Sequence, residues 1–295
     1  MKPARIFQQY IWIINALRKH KRLTLKELSD KWVDDEVADG NPMPRSSFNK
    51  YRDGIFDMFG LVIECDSTHH YFISNPSKID KDQTKQWMLS MLTTGLTLRE
   101  SSAIKDSIIL ENVPAGYEFL PVILQAIRQQ RTISMGYQKF GFDPYVKPVD
   151  PYAVKLFHQR WYLLANNYER MAVYSLDRML SATLTEQHFE RPADFAPEEH
   201  FAEYFGVMTD GTPMEHVVVR AYGKMASYLR TLPLHNSQCE LESGEGYTDF
   251  SFDIRPSVDF ISELQSKIDS LDVLEPASLK ARIREILEAA LRRNP

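Results

Sequence analysis

Apolar residues recur at helical spacing early in the chain, at Ile6, Tyr10, Ile13, Ile14 and Leu17, and this period predicts an amphipathic helix. The run "HKR" that follows places positive charge in the last turn, where the helix dipole favours it. Thr24 is set to cap a second helix, and Glu27 three residues on would complete a capping box. That helix, "LKELSDKWV", buries Leu25, Leu28 and Trp32. Gly40, Pro42 and Pro44 then interrupt the chain. Ser46 and Ser47 open a third helix, "SSFNKYRDGIFDMF", with Phe48, Ile55 and Phe59 close to one face and Gly60 as its stop. Next the period changes. In "LVIECDSTHHYFISNP" two short β-type runs, Leu61–Glu64 and Tyr71–Ser74, flank a polar turn. Three helices and a small hairpin within residues 1–77 predict a winged helix-turn-helix.

Residues 78–131 read as a helical linker or dimerisation region, with "TKQWMLSMLTTGL" near its start and the helix "YEFLPVILQAIRQQ" near its end. A period of two follows in "TISMGYQKF", where Ile133, Met135 and Tyr137 alternate with polar or small neighbours. Pro144, Pro148 and Pro151 mark a long loop, and "AVKLFHQRWYLLAN" and "MAVYSLDRM" read as two further strands separated by "NYER". Short strands at close spacing predict a small β-barrel or curled sheet over residues 132–190. Residues 191–214, rich in proline, acid and aromatic side chains, read as a linker. Residues 215–295 follow the order β-α-β-β-α-β-α, which suggests a ferredoxin-like domain. The expected fold class is therefore α+β and multidomain: winged helix-turn-helix, then a β-barrel, then a ferredoxin-like α+β domain.

Composition removes several classes of function. At 295 residues, 43% apolar and 25% charged, the chain is long enough for two or three folded domains and too apolar for wholesale disorder. Cys65 and Cys239 are far apart and match no metal or redox spacing. With no apolar run of membrane-spanning length and no signal-peptide pattern at the start, a cytoplasmic protein with no membrane partner is expected. The net charge of −5 argues against coating nucleic acid by bulk attraction. Charge is unevenly spread, however. Residues 1–22 hold Lys2, Arg5, Arg18, Lys19, Lys21 and Arg22 and no acid, while the last third holds more acids than bases. No HExxH, Gly-rich phosphate loop, G-x-S-x-G elbow or Cys–His pairing is present, so no catalytic residue, metal or cofactor is expected. The adjacent His69 and His70 cannot both ligate one metal comfortably, and Glu198-Glu199-His200 reads as a solvated helix start.

Two groups of residues are candidates for binding. Arg45, Ser46, Ser47, Asn49, Lys50 and Arg52 cluster at the N-terminal end of the third helix. Arg and Asn suit bidentate contact with bases, while Ser, Lys and a helix N-terminus suit phosphates. A solvated polar face is the simpler alternative for any one of them, and Asp53 and Asp57 lie one turn deeper. In "HQRWYLLAN", strand alternation places His158, Arg160 and Tyr162 on one face and Trp161 and Leu163 on the other, with Lys155 on that other parity. On this reading Trp161 and Leu163 are core. Arg178, beside Asp177, either grips a phosphate or closes a structural salt bridge. Tyr137 and Tyr152 either stack on a base or simply pack.

"RWYLLA" behind a winged helix, with Tyr137 before it, Pro151-Tyr152 leading into it and Leu176-Asp177-Arg178 after it, resembles the WYL-domain family of bacterial transcriptional regulators. The resemblance extends over most of the chain. It implies an Sm-like or SH3-like barrel that senses a nucleotide or single-stranded nucleic acid, in a homodimer that binds a double-stranded DNA operator. For such a ligand the candidate residues are Tyr137, Tyr152, Lys155, His158, Arg160, Tyr162 and Arg178, read from strand faces and side-chain chemistry, with the last domain expected to dimerise or transmit the signal. One departure stands out: Met171 and Ala172 occupy positions where many relatives carry an arginine. The expected function is a DNA-binding regulator and not an enzyme. The alternative is a nucleic-acid-responsive accessory protein whose winged helix binds protein.

Overall fold

The helical period at the start of the chain becomes α1 (Pro3–His20), which buries Ile11, Ile13, Ile14 and Leu17. The computed structural model describes residues 3–294 except 36, 38, 39, 101–106, 108 and 110–115, with backbone alone at 3–5 and 96–100. It is a mixed α+β protein whose described residues form three antiparallel sheets, divided into units of residues 1–111 and 112–295.

In the first unit α1 leads through β1 (Leu23–Thr24) into α2 (Leu25–Asp34). The capping box is present: the Thr24 hydroxyl accepts from the Glu27 N–H at 3.2 Å and the Glu27 carboxylate accepts from the Thr24 N–H at 2.8 Å. Then come α3 (Arg45–Phe59), β2 (Ile63–Cys65), β3 (His70–Ile73), α4 (Ser77–Asp80) and α5 (Gln83–Glu100). Pro44, not Ser46, sits at the start of α3, so both serines lie inside its first turn. Gly60 ends the helix with φ 66, a left-handed conformation that suits glycine. The sheet order is β1-β3-β2, so the hairpin gains a third strand that the sequence reading lacked. Trp32 anchors the core, edge-on to Trp12 and stacked on Tyr51, with ring centroids 5.3 and 5.9 Å away. Helices α1 and α3 approach closely at Gly54, where an added Cβ would lie 2.0 Å from the Tyr10 hydroxyl. Of the expected linker, residues 101–106, 108 and 110–115 lie outside the described residues.

The second unit opens with a short 3-10 turn (Tyr117–Phe119) and α6 (Leu120–Gln129). This helix, read from sequence as part of a linker, packs into a sheet: Ile123 and Ala126 share a core with Ile133, Met135, Val149, Leu163 and Ala165. The strands are β4 (Arg131–Tyr137), β5 (Tyr145–Phe157), β6 (Arg160–Asn166), β7 (Met171–Ser175) and β8 (Met179–His188), in the order β7-β6-β5-β4-β8. Two expectations are corrected here. The proline-marked loop is instead the first half of β5, which pairs with β4 over Tyr145–Val149 and with β6 from Asp150 onward. Pro144 precedes the strand, and Pro148 and Pro151 each sit where one flank of it has no partner, so a missing N–H is tolerated on that flank. "MAVYSLDRM" is not one strand either: a 3-10 turn at Leu176–Arg178 separates β7 from β8.

After β8, α7 (Pro197–Ala202) lies in the expected linker. Next come β9 (Glu215–Tyr222), α8 (Lys224–Thr231), β10 (Cys239–Gly244), β11 (Tyr247–Ile254), α9 (Val258–Gln265), β12 (Leu271–Glu275) and α10 (Ala277–Arg293). The sheet order is β10-β11-β9-β12. Alternation turns Val217, Val219, Ala221, Phe250, Phe252 and Ile254 toward Phe260, Ile261, Leu264, Leu279 and Ile283. No described helix is long and apolar enough to cross a membrane.

Candidate functional site

The first candidate site is one face of α3. Phe48, Tyr51, Ile55 and Phe59 are buried at helical spacing. That leaves Arg45, Ser46, Asn49 and Lys50 exposed on the opposite side, with Ser47 half-buried. Asp53 is exposed one turn further along. Arg52 differs from its neighbours. Its Nε and Nη2 both donate to the Ile63 carbonyl, at 3.1 and 2.6 Å, and its guanidinium lies 5.5 Å from the Tyr71 ring centre. Of the basic stretch at the start of the chain, Lys2 lies outside the described residues and the side chain of Arg5 is not described. Arg18 and Arg22 pair with Asp80 and Asp66 at 3.0 and 2.6 Å.

The second candidate site is the β5–β6 hairpin and its surroundings. The register sets Lys155 opposite Tyr162 and Phe157 opposite Arg160, while Val154 faces Leu163 and Leu156 faces Trp161. Directly opposed residues share a face. Lys155, Phe157, Arg160 and Tyr162 therefore line one side and Trp161 and Leu163 the other. This overturns the sequence placement of Lys155, because the chain reverses between it and the motif. It also removes His158 from the row. His158 and Gln159 form the two-residue turn, with φ of 45 and 64, and the imidazole stacks on Phe157 at 4.0 Å between ring centres. Leu163 is fully buried, and Trp161 packs half-buried against the same core.

The charged groups are largely committed. The Arg160 guanidinium lies 3.4 Å from the Asp177 carboxylate, which also accepts from the Ser175 hydroxyl. The acid next to Arg178 in sequence is thus taken by Arg160. Arg178 has a buried Nε without an acceptor, and its guanidinium lies 4.6 Å from the ring centre of Phe140. Lys155 donates to the Gly206 carbonyl at 2.6 Å and lies 4.3 Å from the Phe201 ring centre. Burial lowers its amine to about 8, opposed by the nearby Asp259 carboxylate. Burial likewise lowers the pKa of the His200 and His235 rings, and the charge of Lys155 adds to the effect in both.

The tyrosines are packing residues in this structure. Tyr137 is buried against Tyr174, 5.2 Å between ring centres, and its hydroxyl accepts from the Ser175 N–H at 3.2 Å. Tyr152 is buried between Phe189, stacked at 5.5 Å, and Phe195, edge-on at 5.0 Å. Burial raises the phenol pKa of Tyr137, Tyr152 and Tyr162 alike. Sequence reasoning missed Phe140 and Lys147. Phe140 and Phe142 stand out in the β4–β5 loop, 75% and 67% exposed, and two phenylalanines in a polar turn were the available signal. Lys147 lies 5.7 Å from the Tyr174 ring centre. Among the described residues no three His, Cys, Asp or Glu side chains gather as a metal site.

The segment from α6 to β8 is matched by the WYL domain family model over residues 118–184, and the β9–α10 segment by the WCX domain over residues 213–291. The chain thus carries a WYL domain and, after it, a WCX domain. Among solved structures it is similar to proteasome accessory factor B/C (PafBC) of Arthrobacter aurescens, at 19% identity and a TM-score of 0.38, covering 97% of this chain and 47% of that one. It is also similar to a CRISPR Cas-related protein, at 14% identity and a TM-score of 0.38, covering 59% of this chain and 50% of that one. The chain thus spans about half the length of each. A search of curated proteins gave no match.

Proposed function

We propose that this chain is a cytoplasmic, DNA-binding transcription regulator that acts as a homodimer. In this reading the first unit is a winged helix-turn-helix with α3 as its recognition helix. The α6–β8 segment is an Sm-like barrel for a nucleotide or single-stranded nucleic acid effector. The β9–α10 segment is a ferredoxin-like domain for dimerisation or signal transmission, a reading supported by its strand order β12-β9-β11-β10. The observation that carries the proposal is the row Arg45, Ser46, Asn49 and Lys50, exposed on a helix whose opposite face is buried. Binding of the full chain to the DNA upstream of its own gene, followed by fluorescence anisotropy across several salt concentrations, tests it. Lys50→Ala should weaken binding and lower the slope of log K against log salt by about 0.9. Unchanged binding and slope would remove α3 from the interface.

Arg178 is the best effector ligand in this reading. It keeps an unused buried donor, whereas Arg160 and Lys155 are already engaged. Phe140 beside it offers a ring for a base. The effector must bind the DNA-competent and incompetent states with different affinity, or it shifts nothing. A thermal-shift screen with nucleotides and short oligonucleotides should give a stabilising hit that is lost in Arg178→Ala. A hit that survives moves the site elsewhere. One observation favours the second reading, a protein-binding winged helix: Phe56 and Met58 on α3 are 54% and 48% exposed. The absence of any salt-dependent DNA binding would select it.

A further inference from the structure

Arg22 and Arg52 grip the β2–β3 hairpin from its two sides. Tyr71 and Phe72 are consecutive on β3, so their rings face opposite sides of the strand. The Arg52 guanidinium lies 5.5 Å from the Tyr71 ring centre and the Arg22 guanidinium 4.8 Å from that of Phe72. Both are also held by hydrogen bonds. Arg52 reaches from α3 to the Ile63 carbonyl of β2 with two N–H groups, at 3.1 and 2.6 Å. Arg22 reaches from the α1–β1 connection to the Asp66 carboxylate at 2.6 Å.

Asp66 in turn builds the hairpin's tip. It accepts from the Thr68 hydroxyl at 2.7 Å and from the N–H groups of Thr68 and His70 at 2.9 and 3.0 Å. These bonds, with the one from Arg22, hold its carboxyl far below the usual carboxylate range. The hairpin itself, Leu61 to Ser74, contains no Lys or Arg. It has no permanent cation of its own to seat on a phosphate, so its use depends on where it is held.

We infer that Arg52 is a positioning residue that fixes the hairpin against α3, as Arg22 fixes it to the α1–β1 connection, and not a DNA contact. The inference rests on the DNA-binding reading above. An arginine fork can serve one carbonyl with two N–H groups and stack on a ring at once, whereas an ammonium is a point charge. Lysine at position 52 therefore keeps the charge and loses the clamp.

The test uses the full chain and the upstream DNA retained by the wild type, titrated at several salt concentrations and mapped by hydroxyl-radical footprinting. Arg52→Ala should weaken binding ~10-fold with the salt slope unchanged, Lys50→Ala serving as the reference for a lost phosphate contact. Arg52→Lys should bind as weakly as Arg52→Ala. Protection should be lost at the edges of the footprint and retained at its centre. Amide hydrogen exchange of Ile63–Ile73 in the free protein should accelerate in both variants. A slope lowered by about 0.9 in Arg52→Ala, with binding restored by Arg52→Lys, overturns the inference and leaves the DNA-binding reading standing. Uniform loss of protection with a lowered melting temperature also overturns it, because that marks general destabilisation. A wild-type chain that binds no DNA overturns the underlying reading and the inference together.

Discussion

Lys155→Met should abolish a rise in stability that the wild type shows between about pH 8 and 10.5. The Lys155 amine is held at about 8 against an ordinary 10.5, chiefly because burial disfavours its charged form. In the unfolded chain it keeps its proton to higher pH. Between the two values the unfolded state binds more protons than the folded state, so stability increases with pH across that window. Below about pH 8 both states are protonated and the cost of burying the charge is fully present. The full difference corresponds to roughly 3 kcal/mol at about 1.4 kcal/mol per tenfold change. The side chain is only partly buried, and solvent screening reduces this to about 1–2 kcal/mol.

Neighbouring groups leave the window clear. Burial holds the rings of His200 and His235 below their ordinary pKa, so both are neutral there, and burial raises the Tyr162 phenol above its own. Methionine retains most of the stem volume and forfeits the bond to the Gly206 carbonyl, a loss of about 1 kcal/mol. That loss offsets much of the relief at pH 7, so the informative quantity is the change with pH. Urea unfolding followed by near-ultraviolet circular dichroism, at half-unit steps, measures it in both proteins. Identical pH dependence in wild type and Lys155→Met would refute the assignment of a depressed amine at this position.

Two further outcomes test the packing. Leu163→Ala should cost about 3 kcal/mol in chemical denaturation, because the side chain is fully buried, whereas Tyr162→Phe should stay within about 1 kcal/mol. Gly206→Ala should lower the thermal unfolding temperature, at a cost of about 2 kcal/mol. The new Cβ would lie 2.3 Å from Asp259 Oδ2, which cannot withdraw without giving up the N–H groups of Val207 and Met208. Asp259→Ala in the same chain should recover part of the Gly206→Ala loss, and no recovery would show that the clash lies elsewhere.

Legibility followed the range of the signal. The α2 start was readable from Thr24 and Glu27 alone, since a capping box closes within four residues. "EHVVVRAY" became β9 without change, its alternation being local. The turn at His158-Gln159 was invisible because neither residue is the Asn, Asp or Gly that positive φ normally selects. β8, "MLSATLTEQH", carries many small polar residues on a strand mostly exposed, and so gave no apolar alternation to detect. The site residues divide in the same way. Arg45, Ser46, Asn49 and Lys50 share an exposed face by helical period, which the sequence states directly.

The sequence by itself determined the longer helices and most strands, the face of α3 open to solvent, and the WYL motif with its surroundings. Each depends on side-chain chemistry repeated within a few residues. Only the tertiary structure decided which cations are already engaged. Arg52 meets Ile63 eleven residues away, Arg160 takes the acid beside Arg178, and Lys155 finds Gly206 fifty-one residues on. Such pairings follow from strand register and helix packing, which bring distant positions within hydrogen-bond reach. A one-residue pattern cannot encode them.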